Sequence, residues 1–371
     1  GKSIEELSMM LKVNLKDFSA LNESDKKIVE QNIIEIAKTR KPLMIELASS
    51  NAQKFLSNAL NENEIKLLPI KAKQFSEKII LSQGEIKSIV FEYIDESSET
   101  IQAMEIDGIA YKLFFAQQSE PLNSTIVQFT GYQLENNIVI QNSSSMQIIS
   151  PPQTTSTMGA HKFVVILFNF CPSGVCAIPT SSLFTKAQVV QTIFGTTGNP
   201  TSVNDFYKQN SYNLLSMLGT TADVFGWYEL NRGVGGCQIN WDGDAEIPAI
   251  ADGADIAGAD HVLYVMPYQS NCSWTAFADV GGKKSHFNVN PYTATSWNDS
   301  TMRYTFGHEL GHNLGNNHAG YMDCGAKFID SNSVCYPGIY TYGDYYNIMG
   351  YYNRFQYNAP HKSDMQWFTP T

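Results

Sequence analysis

The run Tyr304-Thr305-Phe306-Gly307-His308-Glu309-Leu310-Gly311-His312-Asn313-Leu314-Gly315-Asn316-Asn317-His318 is the most informative stretch of the chain. With residues 301–313 in an α-helix, the i, i+4 spacing puts His308 and His312 on one face, where both rings can offer a nitrogen to the same ion. Glu309 lies about 100° further around the helix axis, placed to reach a water on that ion rather than the ion itself. Gly315 readily adopts a positive φ, which ends the helix and lets the chain turn back, so that His318 arrives beside the other two histidines. Three protein ligands and one open position is the arrangement of a catalytic zinc, whereas a structural zinc is closed by four. Zinc lowers the pKa of its water to about 7 and polarises a carbonyl, which gives Glu309 a proton to take near neutral pH. A bare H-E-x-x-H also arises by chance on polar helices. The added glycine and third histidine are what favour a metal site over a solvated helical face.

The extended pattern H-E-x-x-H-x-x-G-x-x-H resembles the signature of the metzincin metallopeptidases. The resemblance continues at Asn347-Ile348-Met349-Gly350-Tyr351, 31 residues after His318, which looks like the Met-turn that runs beneath the zinc in that clan. Tyr351 stands two residues after the methionine, where astacins and serralysins carry a tyrosine that can approach the zinc and help stabilise an oxyanion. Aromatic packing among Tyr342, Tyr345, Tyr346, Tyr351 and Tyr352 is the competing account. Within the clan the chain is most similar to gametolysin-like peptidases and their bacterial relatives, on the apolar strand Phe163–Phe170, the segment Asp205–Tyr212, and Ala359-Pro360-His361-Lys362 leading to Trp367.

The resemblance implies an α/β catalytic domain of metzincin type, with a twisted mixed sheet, an active-site helix and a Met-turn. It implies one catalytic zinc held by His308, His312 and His318, with Glu309 as base and then acid, Tyr351 as an auxiliary group, and Gly315 and Met349 as structural residues near the site. The activity it implies is endoproteolysis of an extended polypeptide. In resembling enzymes the substrate pairs with an edge strand, for which Ala276–Val280 is the candidate, and Tyr351–Asn358 would wall the pocket beyond the cut.

A chain of 371 residues suggests two domains. Residues 1–150 carry 35 charged side chains and residues 151–371 only 26, so the two parts differ in kind. The expected organisation is an N-terminal domain over 1–150, a linker over 151–160 rich in Pro, Ser and Thr, and the peptidase domain over 161–371. Helical periodicity near Ile28–Ala37 gives way to strands at Lys78–Leu81, Ile89–Ile94, Ile109–Phe115, Thr125–Thr130 and Asn137–Gln141. This predicts a smaller α+β or mainly β module. The second part alternates strands (Phe163–Phe170, Leu214–Leu218, Val262–Met266, Ala276–Val280, His286–Val289) with helices (Leu183–Phe194, Val203–Asn210, Ile247–Ile256), as an α/β layer does.

In resembling peptidases the region before the catalytic domain is often a propeptide that folds with the enzyme and blocks its cleft, so residues 1–150 are expected to make the chain a latent proenzyme. No cysteine precedes Cys171, which excludes latency through a propeptide thiolate. An Asp or Glu could serve instead, and Asp107 is the loop candidate, although Asp-Gly is also an ordinary turn pair.

The net charge of -11 and the absence of basic runs argue against nucleic acid as a partner. No apolar run is long enough for a membrane-spanning helix. Six cysteines with short gaps favour disulfides, and hence a secreted, extracellular protein. The neighbour pairing Cys171–Cys176, Cys237–Cys272 and Cys324–Cys335 is one of about 15 connectivities. His161, His261, His286 and His361 lack ligand spacing and read as packed or surface residues. Asp242-Gly243-Asp244 resembles the start of a calcium loop but lacks a Glu at the twelfth position, so calcium is not indicated. Two rival functions stand beside the peptidase: a surface-binding or adhesion protein on a metzincin scaffold, and a zinc hydrolase of a non-peptide amide.

Overall fold

The computed structural model describes the chain except residues 19–20, 107–108, 118–124, 143–145, 151–154, 196–201, 236, 238–240, 290–298, 324–335, 341, 351–355 and 369–371. Two compact units emerge, Gly1–Ser88 with Ile101–Gln153, and Ile89–Thr100 with Thr154–Thr371. The short stretch 89–100 falls within the N-terminal part by sequence, yet it belongs to the second unit.

The first unit is α+β. Helices α1 (Ile4–Phe18), α2 (Glu23–Ser50), α3 (Ala52–Asn58), α4 (Glu62–Leu67) and α5 (Ile70–Lys73) precede the strands. Ile4, Leu7, Leu11 and Leu15 recur at helical spacing and form the buried stripe of α1. The fully buried Arg40 of α2 donates from both terminal nitrogens to the Glu77 carboxylate, at 2.7 and 2.9 Å, and also to Ser8 Oγ and the Asn58 carbonyl. Glu77 further accepts from the Leu60 amide. One ion pair therefore ties α1, α2, the end of α3 and the approach to the strands.

The strands are β1 (Lys78–Tyr93), β2 (Ser98–Ile106), β3 (Ile109–Phe115), β4 (Thr125–Leu134), β5 (Asn137–Ile140) and β6 (Gln147–Ser150). The two strands expected at 78–81 and 89–94 are one. The polar stretch Ser82–Glu85 between them pairs with Phe129, Gln128, Val127 and Ile126 of β4, and a side chain at Gly84 would run into Met104. Glycine inside this strand marks a close approach, not a turn.

The second unit holds a mixed sheet. At its centre β7 (Gly159–Phe170) and β10 (His261–Pro267) run parallel. The start of β7 pairs with β8 (Leu215–Leu218) and its later part with β9 (Val224–Leu230), both parallel. Beyond β10 lies β12 (Lys284–Val289), parallel, then β11 (Trp274–Asp279), antiparallel, and then Ile89–Tyr93 of β1, antiparallel again. The apolar runs of β7 and β10 are buried almost throughout, as strands covered on both faces are.

On one face Phe163, Val165, Leu167, Leu263, Val265 and Phe287 pack with α6 (Lys186–Ile193), α7 (Val203–Asn210) and the long α9 (Asp299–Asn313). Met302, Phe306, Leu310 and Leu314 form the i, i+4 ridge that α9 presents to this core. The other face is covered by α8 (Asp242–Ala251), with Trp241 against Phe170 and Trp274. This helix begins about five residues before its expected start. Asp242 and Asp244 in its first turn suit the dipole, and Gly253 at φ 98° follows its end.

Cys171–Cys176 and Cys237–Cys272 are disulfides, as the neighbour pairing anticipates, while Cys324 and Cys335 lie outside the described residues. His161 and His261 are buried against each other, Nδ1 to Nε2 at 2.9 Å. His286 and Lys284 both bond Asp242, and Arg232 pairs with Asp244, so both aspartates are taken up by ion pairs.

Replacing Arg40 by Met would leave the Glu77 carboxylate buried without its partner, and removing one member of such a pair costs about 3–5 kcal/mol. Urea unfolding should show a correspondingly lower midpoint for R40M. A midpoint within experimental error of the parent would contradict this account of the first unit.

Candidate metal centre

The helix that carries the histidines is anchored at one residue. Asn313, fully buried, donates from Nδ2 to the carbonyls of Asp279 and Lys284, both at 3.0 Å, and accepts from Ser285 Oγ at 2.9 Å. These bonds fix the C-terminal turn of α9 against β11 and β12. The helix then ends as expected: Gly315 sits at φ 94°, and the amides of Gly315 and Asn316 bond back to the carbonyls of His312 and Gly311. The chain reverses and delivers His318.

The three imidazoles converge. Their ring centroids lie 5.0, 5.3 and 4.9 Å apart for the pairs 308–312, 308–318 and 312–318. His308 Nδ1 donates to the Ile348 carbonyl and His312 Nδ1 to the Asn316 carbonyl, each at 2.8 Å. A carbonyl can only accept, so the proton of each neutral ring is on Nδ1 and the lone pair is on Nε2. Burial holds His312 down to about 4 and also lowers His318, which keeps those rings neutral.

All three Nε2 atoms point at one oxygen, Glu92 Oε1, at 3.3, 3.4 and 2.5 Å from His308, His312 and His318. The four donor atoms lie within 4.8 Å of one another. Imidazole lone pairs and a carboxylate oxygen gathered at one point repel unless a cation sits among them, so this donor set fits a zinc ion. The Tyr342 hydroxyl donates to the other Glu92 oxygen, and its ring lies 4.2 Å from that of His318.

Glu309 is buried one residue after His308, and its Oε2 has no hydrogen-bond partner. Burial, and then the charge of Glu92, raise its pKa well above the carboxylate range.

Beneath the histidines the turn Asn347–Gly350 is packed against α9. Met349 is fully buried, its amide bonded to Asn347 Oδ1 and its carbonyl to the Ala319 amide. A side chain on Gly311 would come within 2.4 Å of both Met349 Sδ and Tyr357 Oη, and one on Gly307 within 2.8 Å of Ile348 Cδ1. The two helix glycines are therefore what let the turn approach closely enough for Ile348 to hold His308.

Of the residues the sequence singles out, the structure brings together His308, His312, His318 and Glu309, with Gly315 at the helix end and Met349 below. Tyr351 and Asp107 lie outside the described residues. Sequence reasoning overlooks Glu92, Tyr342, Gly307 and Gly311. No spacing rule reaches Glu92, 216 residues before His308. The glycines were readable, because two of them inside one helix each cost about 1 kcal/mol relative to alanine and need a packing reason.

An α/β unit with a histidine and glutamate cluster on its central helix is the frame of a metallopeptidase. The chain belongs to the gametolysin peptidase M11 family, whose model matches residues 162–371. No curated protein and no solved structure matches the chain.

Gly311→Ala should overpack the contact with Met349 and lower stability by about 1–3 kcal/mol. Thermal unfolding reads this directly, and an unchanged midpoint would mean that the turn is free to move away from the helix.

Proposed function

We propose that the second unit is a zinc-dependent endopeptidase of metzincin type, with His308, His312 and His318 as its ligands and Glu309 as its base. The observation that carries this reading is the convergence of three Nε2 atoms beside the unpartnered Glu309 Oε2, within a chain of a peptidase family. Asn347–Gly350 is then the Met-turn.

Zinc in this site would acidify a water and polarise the scissile carbonyl. The chain's own residues do the rest. Ile348 and Asn316 hold the imidazoles in the ligand tautomer. Glu309 takes the proton of the attacking water and passes it to the leaving amine, a role that its buried position next to His308 suits. The edge of β11 offers unpaired backbone groups to an extended peptide by strand addition, once nothing else occupies it. Tyr351 remains a proposed oxyanion donor.

Residues 1–150 are read as a propeptide, and the chain as secreted. The two disulfides suit an oxidising compartment, and no helix among the described residues is long and apolar enough to cross a membrane. The adhesion reading is disfavoured because a protein that only binds has no use for Glu309. The non-peptide amide reading is disfavoured because β11 suits an extended chain.

Cleavage of a denatured protein should be abolished by a chelator and restored by zinc, with the chain assayed intact and after limited proteolysis in residues 150–160. Glu309→Gln should lose about 10²–10⁴-fold in rate while retaining its zinc by metal analysis. Full activity in E309Q, or no chelator-sensitive fragments from any form, would reject the reading. N-terminal sequencing of the active form tests the propeptide: a start near residues 150–165 is expected, and retention of Gly1 would refute it.

A further inference from the structure

The geometry points to Glu92 as an internal ligand that closes the metal site, carried on a hairpin that also occupies the substrate's strand position. The inference rests on the zinc peptidase reading and concerns its regulation. Four observations within the second unit support it.

The first is the carboxylate itself. Oε1 is where the three Nε2 atoms converge, and Oε2 accepts from Tyr342. Each oxygen of Glu92 is thus engaged by the site, one by the ligand set and the other by a phenol beside it. Only 13% of this side chain is exposed, so the acid is buried where it can be compensated by a cation.

The second is the backbone around it. Ile89–Tyr93 pairs antiparallel with β11, in register Ile89↔Asp279 through Glu92↔Ala276, and this occupies the edge expected to receive a peptide. Phe91 packs against Phe277, the rings tilted with centroids 4.7 Å apart. Among the described residues of the second unit, nothing else pairs with β11 on that side.

Third, the hairpin is seated by contacts beyond the ladder. The Ile94 amide donates to the Ser273 carbonyl, and Ser98 Oγ lies 3.4 Å from His318 Nδ1. The turn closes tightly, with the Tyr93 amide on the Ser97 carbonyl and Glu96 at φ 67°.

The fourth explains why the segment would not be cut. The Glu92 carbonyl accepts from Thr275 Oγ1 at 3.1 Å, and the ladder shifts register between Glu92 and Tyr93. A side-chain carboxylate, not a peptide carbonyl, therefore faces the ligands and Glu309. The hairpin has the strand of a substrate without a scissile bond at the reacting point. Activation then requires residues 89–100 to leave β11, which opens the edge and the metal together. Cleavage in the linker alone leaves this plug in place until it dissociates.

Cobalt substitution of the intact chain gives a readout independent of turnover, because the visible spectrum reports the donor set. The parent protein should show a spectrum that added acetohydroxamate does not alter, whereas Glu92→Ala should show a different one that acetohydroxamate shifts. The near-isosteric E92Q guards against misfolding of the alanine variant and should respond to hydroxamate as well. Identical spectra with equal hydroxamate response in the parent and both variants would overturn the role of Glu92. Failure of the underlying metal reading looks different: no cobalt uptake by the parent, or full uptake by His312→Ala, overturns both.

Discussion

Two backbone carbonyls, those of Ile348 and Asn316, set the arrangement of the histidine cluster, because they hold the protons of neutral His308 and His312 on Nδ1. Without them each ring could turn over or change tautomer, and the convergence of lone pairs would be lost. Much of the second unit serves to keep those carbonyls in place. Asn316 is positioned by the reversal at Gly315, and Ile348 by the turn that the bare faces of Gly307 and Gly311 admit. Asn313 ties the helix end to β11 and β12.

The same arrangement sets up the electrostatics. Glu309 is buried with Oε2 unpartnered, and burial makes a second carboxylate among the imidazoles costly unless a cation is present. Glu92 stands at the point where that cost is lowest. The strand that delivers it pairs with the edge of β11.

The helix that carries the histidines was legible because the candidate ligands are local. His308, Glu309, His312, Gly315 and His318 obey the geometry of one helix and one turn, and that geometry is written in spacing. The apolar runs at Phe163–Phe170 and Val262–Met266 were legible for a similar reason, since strands buried on both faces need no alternation. Three kinds of feature were not. Glu92 reaches the site through strand pairing, which sequence separation conceals, and an acidic residue in a charged stretch otherwise reads as solvated. Gly84 carries no local sign of its packing partner, Met104, which lies on another strand. Nothing local marks Arg40 and Glu77 as a buried pair, because burial of an ion pair depends on helices meeting, not on the neighbours of either residue.

The most direct measurement is X-ray absorption at the zinc edge on the zinc-loaded, intact chain. The account predicts a first shell of three nitrogens and one oxygen at about 2.0–2.2 Å with outer-shell scattering from imidazole rings. A sulfur shell near about 2.3 Å, or a first shell without histidine scattering, would contradict it.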